Sequence, residues 1–352
     1  MQVITSLGTG GAERLLLDLV TMLDPSRFDV MIVVLKNDLS ALEAYGFPSL
    51  MVEVADLRSS VICGLWRFRR LIDDFNPDVM HAHMFHALIA SVAALCSIGR
   101  RQALCFTSHN ATHSQFRRGM MRVLKSTRSA DIVFEKSQHL SLNARRTVVI
   151  PNGVGVSTGS SERKPWRRDG ILRTLALGRL DTEKDPIGLL HAFVDADLGP
   201  LATLEFAGKG AFEQRIIARV RTLAVQDRVL VRGFVKDVRA LMRECDLLIV
   251  HSKWEGMPMV LLEAGAEAMP IIATPVGSIP AILGADRGVL ATPSDFPAAL
   301  RALAASPVQA IAMGARLREF VARNHSIAAT VHSHASLYEE VCAGGHRRIS
   351  ND

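Results

Sequence analysis

Short apolar runs rich in Val and Ile alternate along the chain with longer segments of helical periodicity. The runs with strand character are QVITSL, FDVMIVVL, DVMHAH, ALCFTSH, DIVFEKS and TVVIPN in the first half, and LRTLALG, ATLEFAG, RVLVRG, LLIVHS and PIIATP in the second. Strands that alternate with helices predict right-handed βαβ units, hence parallel sheets with helices on both faces. The pattern therefore predicts two doubly wound α/β domains that bind ligands at the carboxyl ends of their strands.

Composition indicates where one domain ends and the next begins. Residues 156–170 are rich in Gly, Ser and charged residues, which is typical of a linker. We expect one domain over residues 1–155 and a second over residues 171–329. The pattern SIAATVHSHASLYEEVCAG predicts a terminal helix after the second domain, followed by a frayed tail.

The same sequence indicates a cytoplasmic protein. The longest apolar run, ALIASVAALCSIG, has only 13 of the roughly 20 residues that a membrane span needs. The N-terminal sequence MQVITSLGTGG lacks the basic and apolar regions of a signal peptide, so we expect no export. Five scattered cysteines without a CxxC pair favour reduced thiols.

The net charge of +6 is unevenly distributed. No Asp or Glu occurs in residues 79–130, whereas this segment contains seven Arg and Lys residues. A stretch of one sign attracts anions, so an anionic membrane surface, a phosphorylated lipid or nucleic acid could bind it. Nucleic acid is the weakest of these partners, because the chain has only 5% aromatic residues for base stacking, so we expect no nucleic acid partner. A solvated basic face without a partner is an equally good interpretation.

The first strand-to-helix turn, GTGGAERLLLDLV, is rich in glycine. Gly10 and Gly11 allow backbone N–H groups to approach a phosphate at the positive end of a helix. A dinucleotide fingerprint needs a glycine at the position of Glu13, so NAD binding is disfavoured. Glycine turns also occur without a ligand, so this motif alone does not establish a phosphate site.

Histidines cluster at the ends of two predicted strands. His81 and His83 share a strand face, with His86 close by, but no carboxylate or cysteine lies near them in the sequence, so no metal site is expected. His109 ends the strand ALCFTSH, and we expect it to point toward the ligand. The simpler alternative is a histidine bonded to backbone.

Two cations follow the strand that ends at Gly178. Arg179 and Lys184 lie five residues apart before a new helix, an arrangement that can bind a diphosphate without a metal ion. The alternative is a charged loop whose own carboxylates neutralise the cations. We favour the diphosphate site because the carboxylates of the stretch HSKWEGMPMVLLEAGA suit the sugar of the same kind of ligand.

The stretch HSKWEGMPMVLLEAGA carries two glutamates eight residues apart. Pro258 suits the first position of a helix, so Glu255 precedes that helix and Glu263 lies in its second turn. The two glutamates do not share a helical face, which disfavours a solvated stripe. A retaining glycosidase is also disfavoured, because it needs two carboxyls about 5 Å apart. Carboxylates on either side of a helix N-terminus suit sugar hydroxyls, so we predict a nucleotide sugar as the ligand.

Seven motifs occur in the order of a known family: GTGGAE, PDVMHAH, VIPNGV, GRLDTEKD, FAGKG, RGFVKDV and the E-x7-E pair. Together they resemble the retaining GT-B glycosyltransferases of family 4, over residues 1 to about 285. The resemblance implies a GT-B fold, in which two Rossmann-like domains face each other across a cleft and residues from about 330 to 352 cross back onto the first domain. It also implies sugar transfer from a nucleotide diphosphate sugar without a metal ion or a cofactor.

The resemblance implies a role for each matching residue. Arg179 and Lys184 bind the donor diphosphate and stabilise the leaving nucleotide. Glu255 faces the donor sugar, Glu263 bonds the ribose hydroxyls, and His109 lies near the donor sugar and the acceptor. Backbone and base contacts complete the implied substrate site: Gly10, Gly11, Gly208, Phe234, Val235, Gly256, Met257, Pro258, Met259 and Val260.

The predicted function is transfer of a hexose or N-acetylhexosamine, from UDP by family frequency, to a glycan or polyprenyl-diphosphate-linked acceptor in surface polysaccharide synthesis. The acid-free stretch lies in the expected acceptor domain, so we expect a peripheral protein at the inner face of the plasma membrane. Three residues depart from the family pattern and leave sugar selectivity open: Gly155, Met269 and Ala281. The changes at Met269 and Ala281 leave a non-catalytic nucleotide-sugar-binding subunit as one alternative. A GT-B epimerase, which shares the two-domain architecture, is another.

Overall fold

The computed structural model of the chain describes residues 1–99, 102–109, 115–134, 146–156 and 166–346. The chain forms two compact units, one made of Met1–Asn152 with Ile327–Asp352 and the other of Gly153–Ser326. Most of the predicted linker, residues 156–170, lies outside the described residues.

The first unit is built on a parallel sheet. Its strands are β1 (Gln2–Ile4), β2 (Ile32–Val34), β3 (Val52–Val54), β4 (Val79–His83), β5 (Ala103–Thr107), β6 (Ala130–Val133) and β7 (Thr147–Val149). In the described part of the unit they lie in the order β3-β2-β1-β4-β5-β6-β7. The order reverses between β1 and β4, which marks the carboxyl ends of these strands as the place where a doubly wound sheet binds ligands.

Side chains from the central strands are buried on both faces of this sheet. Val3 and Val33 belong to one apolar cluster, and the adjacent Ile4 and Val34 belong to another. Strands buried on both sides are therefore continuously apolar rather than alternating, as the sequence pattern predicts for a parallel sheet.

The helices of the first unit cover both faces of its sheet. They are α1 (Gly11–Met22), α2 (Ser40–Tyr45), α3 (Val61–Phe75), α4 (Phe85–Ile98), α5 (Gln115–Val123) and a terminal helix (Ile327–His346). The terminal helix packs against α1, β4 and β5, which places the last part of the described chain in the first unit.

The second unit repeats the architecture. Its strands are β8 (Leu172–Leu177), β9 (Ala202–Ala207), β10 (Val229–Gly233), β11 (Leu247–Val250), β12 (Ile271–Ala273) and β13 (Val289–Leu290). Within the described residues their order is β10-β9-β8-β11-β12-β13, all parallel, so the order reverses between β8 and β11. The helices are α6 (Pro186–Asp195), α7 (Glu213–Thr222), α8 (Val238–Glu244), α9 (Met259–Ala266), α10 (Ile279–Leu283), α11 (Phe296–Ala304) and α12 (Pro307–Asn324).

The apolar segment ALIASVAALCSIG forms most of α4, whose Leu88 and Leu95 are buried in the core of the first unit. None of the described helices has, by itself, both the length and the apolar composition required to cross a membrane. The bent pair formed by α11 and α12 meets these criteria only when its two members are taken together.

Candidate functional site

The loops after β8 and β11 lie beside each other at the switch point of the second sheet. The two strands pair in parallel, so both loops leave the same edge of the sheet. A pocket at this edge is lined by Gly178, Arg179 and Lys184 from the first loop and by His251 and Ser252 from the second. The two cations predicted to bind a diphosphate therefore border one pocket.

Glu255 is held by groups from both of these loops. The Lys184 ammonium donates to Glu255 Oε1, and the Ser252 hydroxyl donates to the same oxygen over 2.6 Å. The Glu255 side chain is only 8% exposed, so its charge depends on these donors for the solvation that water would otherwise provide. The structure thus joins two residues that the sequence analysis assigned separately, one to the diphosphate and the other to the sugar.

Arg179 is the exposed member of the cationic pair. Its side chain is 60% exposed, with Nη2 2.5 Å from Glu183 Oε1 and Nη1 3.6 Å from Asp181 Oδ2. The alternative interpretation, a charged loop whose own carboxylates neutralise its cations, therefore applies to Arg179. Exposed ion pairs of this kind contribute about 0–1 kcal/mol, so a ligand phosphate could replace these carboxylates at little cost.

Asp185 connects the loop after β8 to the loop after β11 at a second point. Its backbone adopts a left-handed conformation with φ of 44° just before α6 begins at Pro186. Its carboxylate accepts from Lys253 Nζ over 3.1 Å and lies 3.2 Å from His251 Nδ1. Burial lowers the pKa of His251, while Asp185 opposes this shift.

Sequence reasoning missed His251, Ser252 and Asp185. The signal that could have identified them is that polar side chains directly follow a buried strand or precede a helix.

The helix α9 begins one residue later than the sequence predicts. Pro258 occupies its N-cap position rather than its first turn, and Glu263 lies in the second turn as predicted. The side chains of Met257, Met259 and Val260 are buried in the unit. A ligand can therefore contact this segment through its backbone N–H and C=O groups rather than through these side chains. Gly256, just before Met257, is partly exposed.

Glycines at the carboxyl ends of three strands of the second sheet lie close to each other: Gly178 follows β8, Gly208 follows β9 and Gly233 ends β10. Gly208, with φ of +140°, lies so close to Gly178 that an added Cβ would be 1.9 Å from the Gly178 carbonyl oxygen. The Gly208 N–H donates to the Gly233 carbonyl over 2.7 Å. Phe234 and Val235 follow directly, with Phe234 36% exposed. Only glycine permits this approach, which keeps the three loops close together at the carboxyl-terminal edge of the second sheet.

The remaining predicted site residues belong to the first unit. Gly10 is the N-cap of α1 and Gly11 is its first residue, so the turn meets a helix N-terminus as predicted. His109 follows β5 and contacts His83, with 3.3 Å between His109 Nε2 and His83 Nδ1. His81 and His83 are buried, whereas His86 is exposed. In the described residues no group of His, Cys, Asp or Glu has the arrangement of a metal site.

Two family models match consecutive parts of the chain. The model described as Glycosyltransferase Family 4 matches residues 9–158, and the model described as Glycosyl transferases group 1 matches residues 161–308. The chain belongs to the family 4 glycosyltransferases. Together the two matches include every described strand of both sheets except β1. They also include every predicted site residue of the second unit.

Solved structures show that this glycosyltransferase has the GT-B fold. Anabaena Alr3699/HepE, in complex with UDP and glucose, superimposes with a TM-score of 0.81 over 96% of this chain and 98% of its own, at 20% sequence identity. Sucrose-phosphate synthase from Thermosynechococcus elongatus gives a TM-score of 0.76 over 97% and 99% of the two chains, at 19% identity. The fold class predicted from the alternation of strands and helices is thereby confirmed.

Relatives in sequence show how far along the chain the similarity extends. TuaC of Bacillus subtilis, assigned to teichuronic acid biosynthesis, is 27% identical over 65% of this chain and 61% of its own length. A Campylobacter jejuni alpha-1,4-N-acetyl-D-galactosaminyltransferase, whose name gives a glycan-PP-undecaprenol as its acceptor, is 26% identical over 74% of this chain and 75% of its own. The prediction of a glycosyltransferase is confirmed by the family matches.

Proposed function

We propose that this glycosyltransferase uses a UDP-sugar donor, retains the anomeric configuration, and extends a glycan or polyprenyl-diphosphate-linked acceptor in surface polysaccharide synthesis. The observation that carries the proposal is the bond between Lys184 and Glu255 at the switch point of the second sheet. It puts a cation suited to a diphosphate beside a carboxylate suited to sugar hydroxyls. A nucleotide diphosphate sugar offers both groups in one molecule.

The proposed reaction places negative charge on the leaving diphosphate. The bond between the anomeric carbon and the phosphate oxygen breaks, while the acceptor hydroxyl forms its new bond to the same face of that carbon. The hydroxyl proton passes to an oxygen of the departing phosphate. Lys184, Arg179 and the N-terminus of α9 stabilise the charge that develops, in the role that a metal ion has in other transferases.

Substrate contacts in the proposal follow the family resemblance. Glu255 accepts hydrogen bonds from the donor sugar and Glu263 from the ribose, with the base near Phe234 and Val235. Backbone groups of α9 and of the segment before it contact sugar and phosphate: Gly256, Met257, Pro258, Met259 and Val260. Gly208 keeps the neighbouring loops close, while Gly10, Gly11 and His109 of the first unit act on the phosphates and the sugar.

Similar proteins support the choice of donor and acceptor. The HepE structures contain UDP with glucose or UDP-glucose. Names of relatives give lipid-linked acceptors: the Campylobacter enzyme above and an Escherichia coli UDP-Gal:alpha-D-GlcNAc-diphosphoundecaprenol galactosyltransferase, 25% identical over 39% of this chain and 38% of its own. The proposal therefore favours UDP and a diphosphate-linked lipid.

The donor is tested by thermal unfolding in the presence of UDP-, GDP- and ADP-sugars. A ligand at 100 times its Kd stabilises the folded state by about 2.7 kcal/mol, so the correct nucleotide should raise the Tm by several degrees. UDP-sugars should give the largest increase, and a larger increase with GDP- or ADP-sugars would overturn the choice of base.

Product analysis tests the reaction itself. With a lipid-linked acceptor and EDTA present, we expect free UDP and a new glycoside whose anomeric configuration matches that of the donor. An inverted product contradicts retention, and loss of turnover in EDTA contradicts the metal-free mechanism. An altered donor without transfer would identify an epimerase, and binding without turnover would identify a non-catalytic subunit.

Helix α5 supports a peripheral membrane location in the proposal. It exposes Arg118 and Arg122, and it also exposes two apolar side chains, Phe116 at 73% and Val123 at 74%. Helical spacing puts the two arginines on one face and the two apolar residues on another. A helix with separate basic and exposed apolar faces is typical of helices that lie in the headgroup region of an anionic membrane.

Vesicle sedimentation tests this location. The protein should bind vesicles that contain anionic lipid at low salt, and the double change Arg118→Gln with Arg122→Gln should reduce the bound fraction severalfold. Arg323→Gln, which alters an exposed arginine of α12 in the second unit, serves as the matched control. Equal binding by the α5 variant and the wild type would remove α5 from the proposal.

A further inference from the structure

Gln2 of β1 connects two branches of one buried hydrogen-bond network in the first unit. The network links the first strand, the histidines of β4, His109 after β5, and Tyr338 of the terminal helix. Its members come from distant parts of the chain; Gln2 and Tyr338 are 336 residues apart. The direction of each hydrogen bond follows from which atoms can donate and which can only accept.

The first branch runs from Gln2 through Tyr338 to His81. The amide Nε2 of Gln2 donates to the Tyr338 hydroxyl oxygen over 3.1 Å. That hydroxyl must then donate its own hydrogen to His81 Nδ1, 2.7 Å away, which is its remaining partner in the described residues. Burial raises the pKa of Tyr338, so the hydroxyl keeps its proton.

The hydrogen bond from Tyr338 also determines how His81 bonds to Thr107. Burial, reinforced by the neighbouring histidines, lowers the pKa of His81, so its ring is neutral and carries a single hydrogen. Because Nδ1 accepts from Tyr338, the hydrogen is on Nε2, which donates to Thr107 Oγ1 over 2.7 Å. Every polar atom on this branch therefore has one defined role.

The second branch runs from His109 to Gln2 through His83. The amide oxygen of Gln2 only accepts, so His83 Nε2, 2.9 Å away, carries the hydrogen of that neutral ring. His83 Nδ1 is consequently a bare acceptor, and His109 Nε2 donates to it over 3.3 Å. Burial lowers the pKa of His109 to about 4, so this ring is neutral and its Nδ1 has no hydrogen. The described residues provide no partner for that nitrogen.

We propose that Gln2, His83 and Tyr338 are positioning residues that fix His109 as the Nε2–H tautomer, so that its Nδ1 accepts a hydrogen bond from a hydroxyl of the substrate sugar. The second half of this inference rests on the proposed function. The tautomer decides the chemistry of the contact: a bare Nδ1 suits a hydroxyl, whereas an Nδ1–H would suit a phosphate or carbonyl oxygen.

The role of Tyr338 in this scheme is to orient the Gln2 amide. Because the Tyr338 oxygen accepts from the amide nitrogen, the amide oxygen is directed to His83. Without the hydroxyl, the amide can rotate by half a turn and donate to His83 instead. His83 would then carry its hydrogen on Nδ1 and donate to His109, which would reverse the tautomer of His109.

Ring-nitrogen NMR on the whole protein with ¹⁵N-labelled histidine tests the tautomer directly. His109→Gln identifies the signals of His109, and spectra at about pH 8 keep the rings neutral. In the wild type we expect Nε2 of His109 to be protonated and Nδ1 bare. Protonation on Nδ1 in the wild type overturns the inference, whether or not the protein transfers sugar.

Three variants test the positioning role. Tyr338→Phe and Gln2→Leu should give His109 a mixture of tautomers, because the amide oxygen is no longer held against His83. Gln2→Glu should keep the wild-type tautomer, because a carboxylate presents an accepting oxygen to both neighbours. An unchanged tautomer in both Tyr338→Phe and Gln2→Leu would show that the network does not set it.

Steady-state kinetics test the contact with substrate. Complete loss of one hydrogen bond to a sugar hydroxyl lowers kcat/KM about tenfold. A mixture of tautomers loses this bond in only part of the molecules, so we expect a smaller decrease, in proportion to the fraction of the wrong tautomer, in Gln2→Leu and recovery in Gln2→Glu. Binding of UDP alone should be unchanged in all variants, since UDP lacks the sugar that is transferred. His86→Gln, an exposed histidine outside the network, is the control. A shifted tautomer with wild-type kcat/KM would overturn the substrate contact, whereas absence of any transfer in the wild type would refute the proposed function instead.

Discussion

The ammonium group of Lys184 donates a hydrogen bond to Oε1 of Glu255, and this bond joins the loop after β8 to the loop after β11. The two side chains are only 20% and 8% exposed. A largely buried ion pair contributes modest net stability, but removal of one partner leaves an uncompensated charge at a cost of about 3–5 kcal/mol. A change at either residue should therefore affect both stability and the reaction.

Lys184→Ala is expected to nearly abolish transfer. The variant loses a cation that stabilises the leaving diphosphate, and loss of a single such donor lowers kcat by about 10²–10³-fold. It should also lower the Tm, because Glu255 is left buried without its counter-ion. Initial rates at saturating donor and a thermal unfolding curve measure the two effects.

The matched control is Lys253→Ala in the loop after β11. Lys253 is 50% exposed and pairs with Asp185 over 3.1 Å, so it contributes little to stability. This variant should keep a rate and a Tm close to those of the wild type. Wild-type turnover by Lys184→Ala would refute the assigned role of that lysine.

Gly277→Ala is expected to displace the backbone of Glu255. Gly277 has φ of +56°, and an added Cβ would lie 2.1 Å from the carbonyl oxygen of Glu255. The strained conformation and the clash should together lower the free energy of unfolding by about 1–3 kcal/mol and raise KM for the donor. Gly155→Ala should alter neither quantity, because no atom of the described residues other than its chain neighbours lies within 4 Å of the added Cβ. Unchanged KM in Gly277→Ala would show that the backbone of Glu255 tolerates the shift.

The apolar pattern was sufficient to predict the central strands and the edge strands β7 and β10, but not the strand ends or the other two edge strands. The run FDVMIVVL contains β2, yet only Ile32–Val34 pairs with both neighbours. The edge strands Val52–Val54 and Val289–Leu290 were missed, because two or three partly exposed residues carry no recognisable period. Edge strands depend on pairing with a neighbour, which is tertiary information.

The candidate site was predictable only where its residues form a local motif. Arg179 and Lys184 share one loop, and Glu255 follows a buried strand, so each leaves a signal in the sequence. The partnership of Gln2 with Tyr338 leaves none, because it arises only when the terminal helix packs onto the first sheet. Its residues could be identified from coordinates but not from spacing.

Met269→Ala is expected to reduce stability without changing sugar selectivity. Met269 stands where the family pattern has a glycine, and this departure alone does not define the donor sugar. Its side chain is fully buried, and its N–H donates to the Ala264 carbonyl over 2.8 Å. Truncation should leave a cavity and lower the free energy of unfolding by about 2–5 kcal/mol. Ratios of kcat/KM across a panel of UDP-sugars should stay constant; a changed ratio would indicate that Met269 acts on the sugar site.

Acid is expected to destabilise the protein through His334 of the terminal helix. Burial lowers the pKa of His334 from 6.5 to about 4, although its Nδ1 bonds the Thr330 carbonyl over 2.8 Å. Between these pH values the unfolded chain binds more protons than the folded one, so this contribution is complete above pH 6.5 and is lost as the pH falls toward 4. The full shift corresponds to a loss on the order of 3 kcal/mol. Urea unfolding across this range should show that the free energy of unfolding depends less on pH in His334→Gln than in the wild type. The control is His332→Gln, which changes an exposed histidine on the same helix and should match the wild type. Equal slopes for His334→Gln and the wild type would contradict a buried neutral His334.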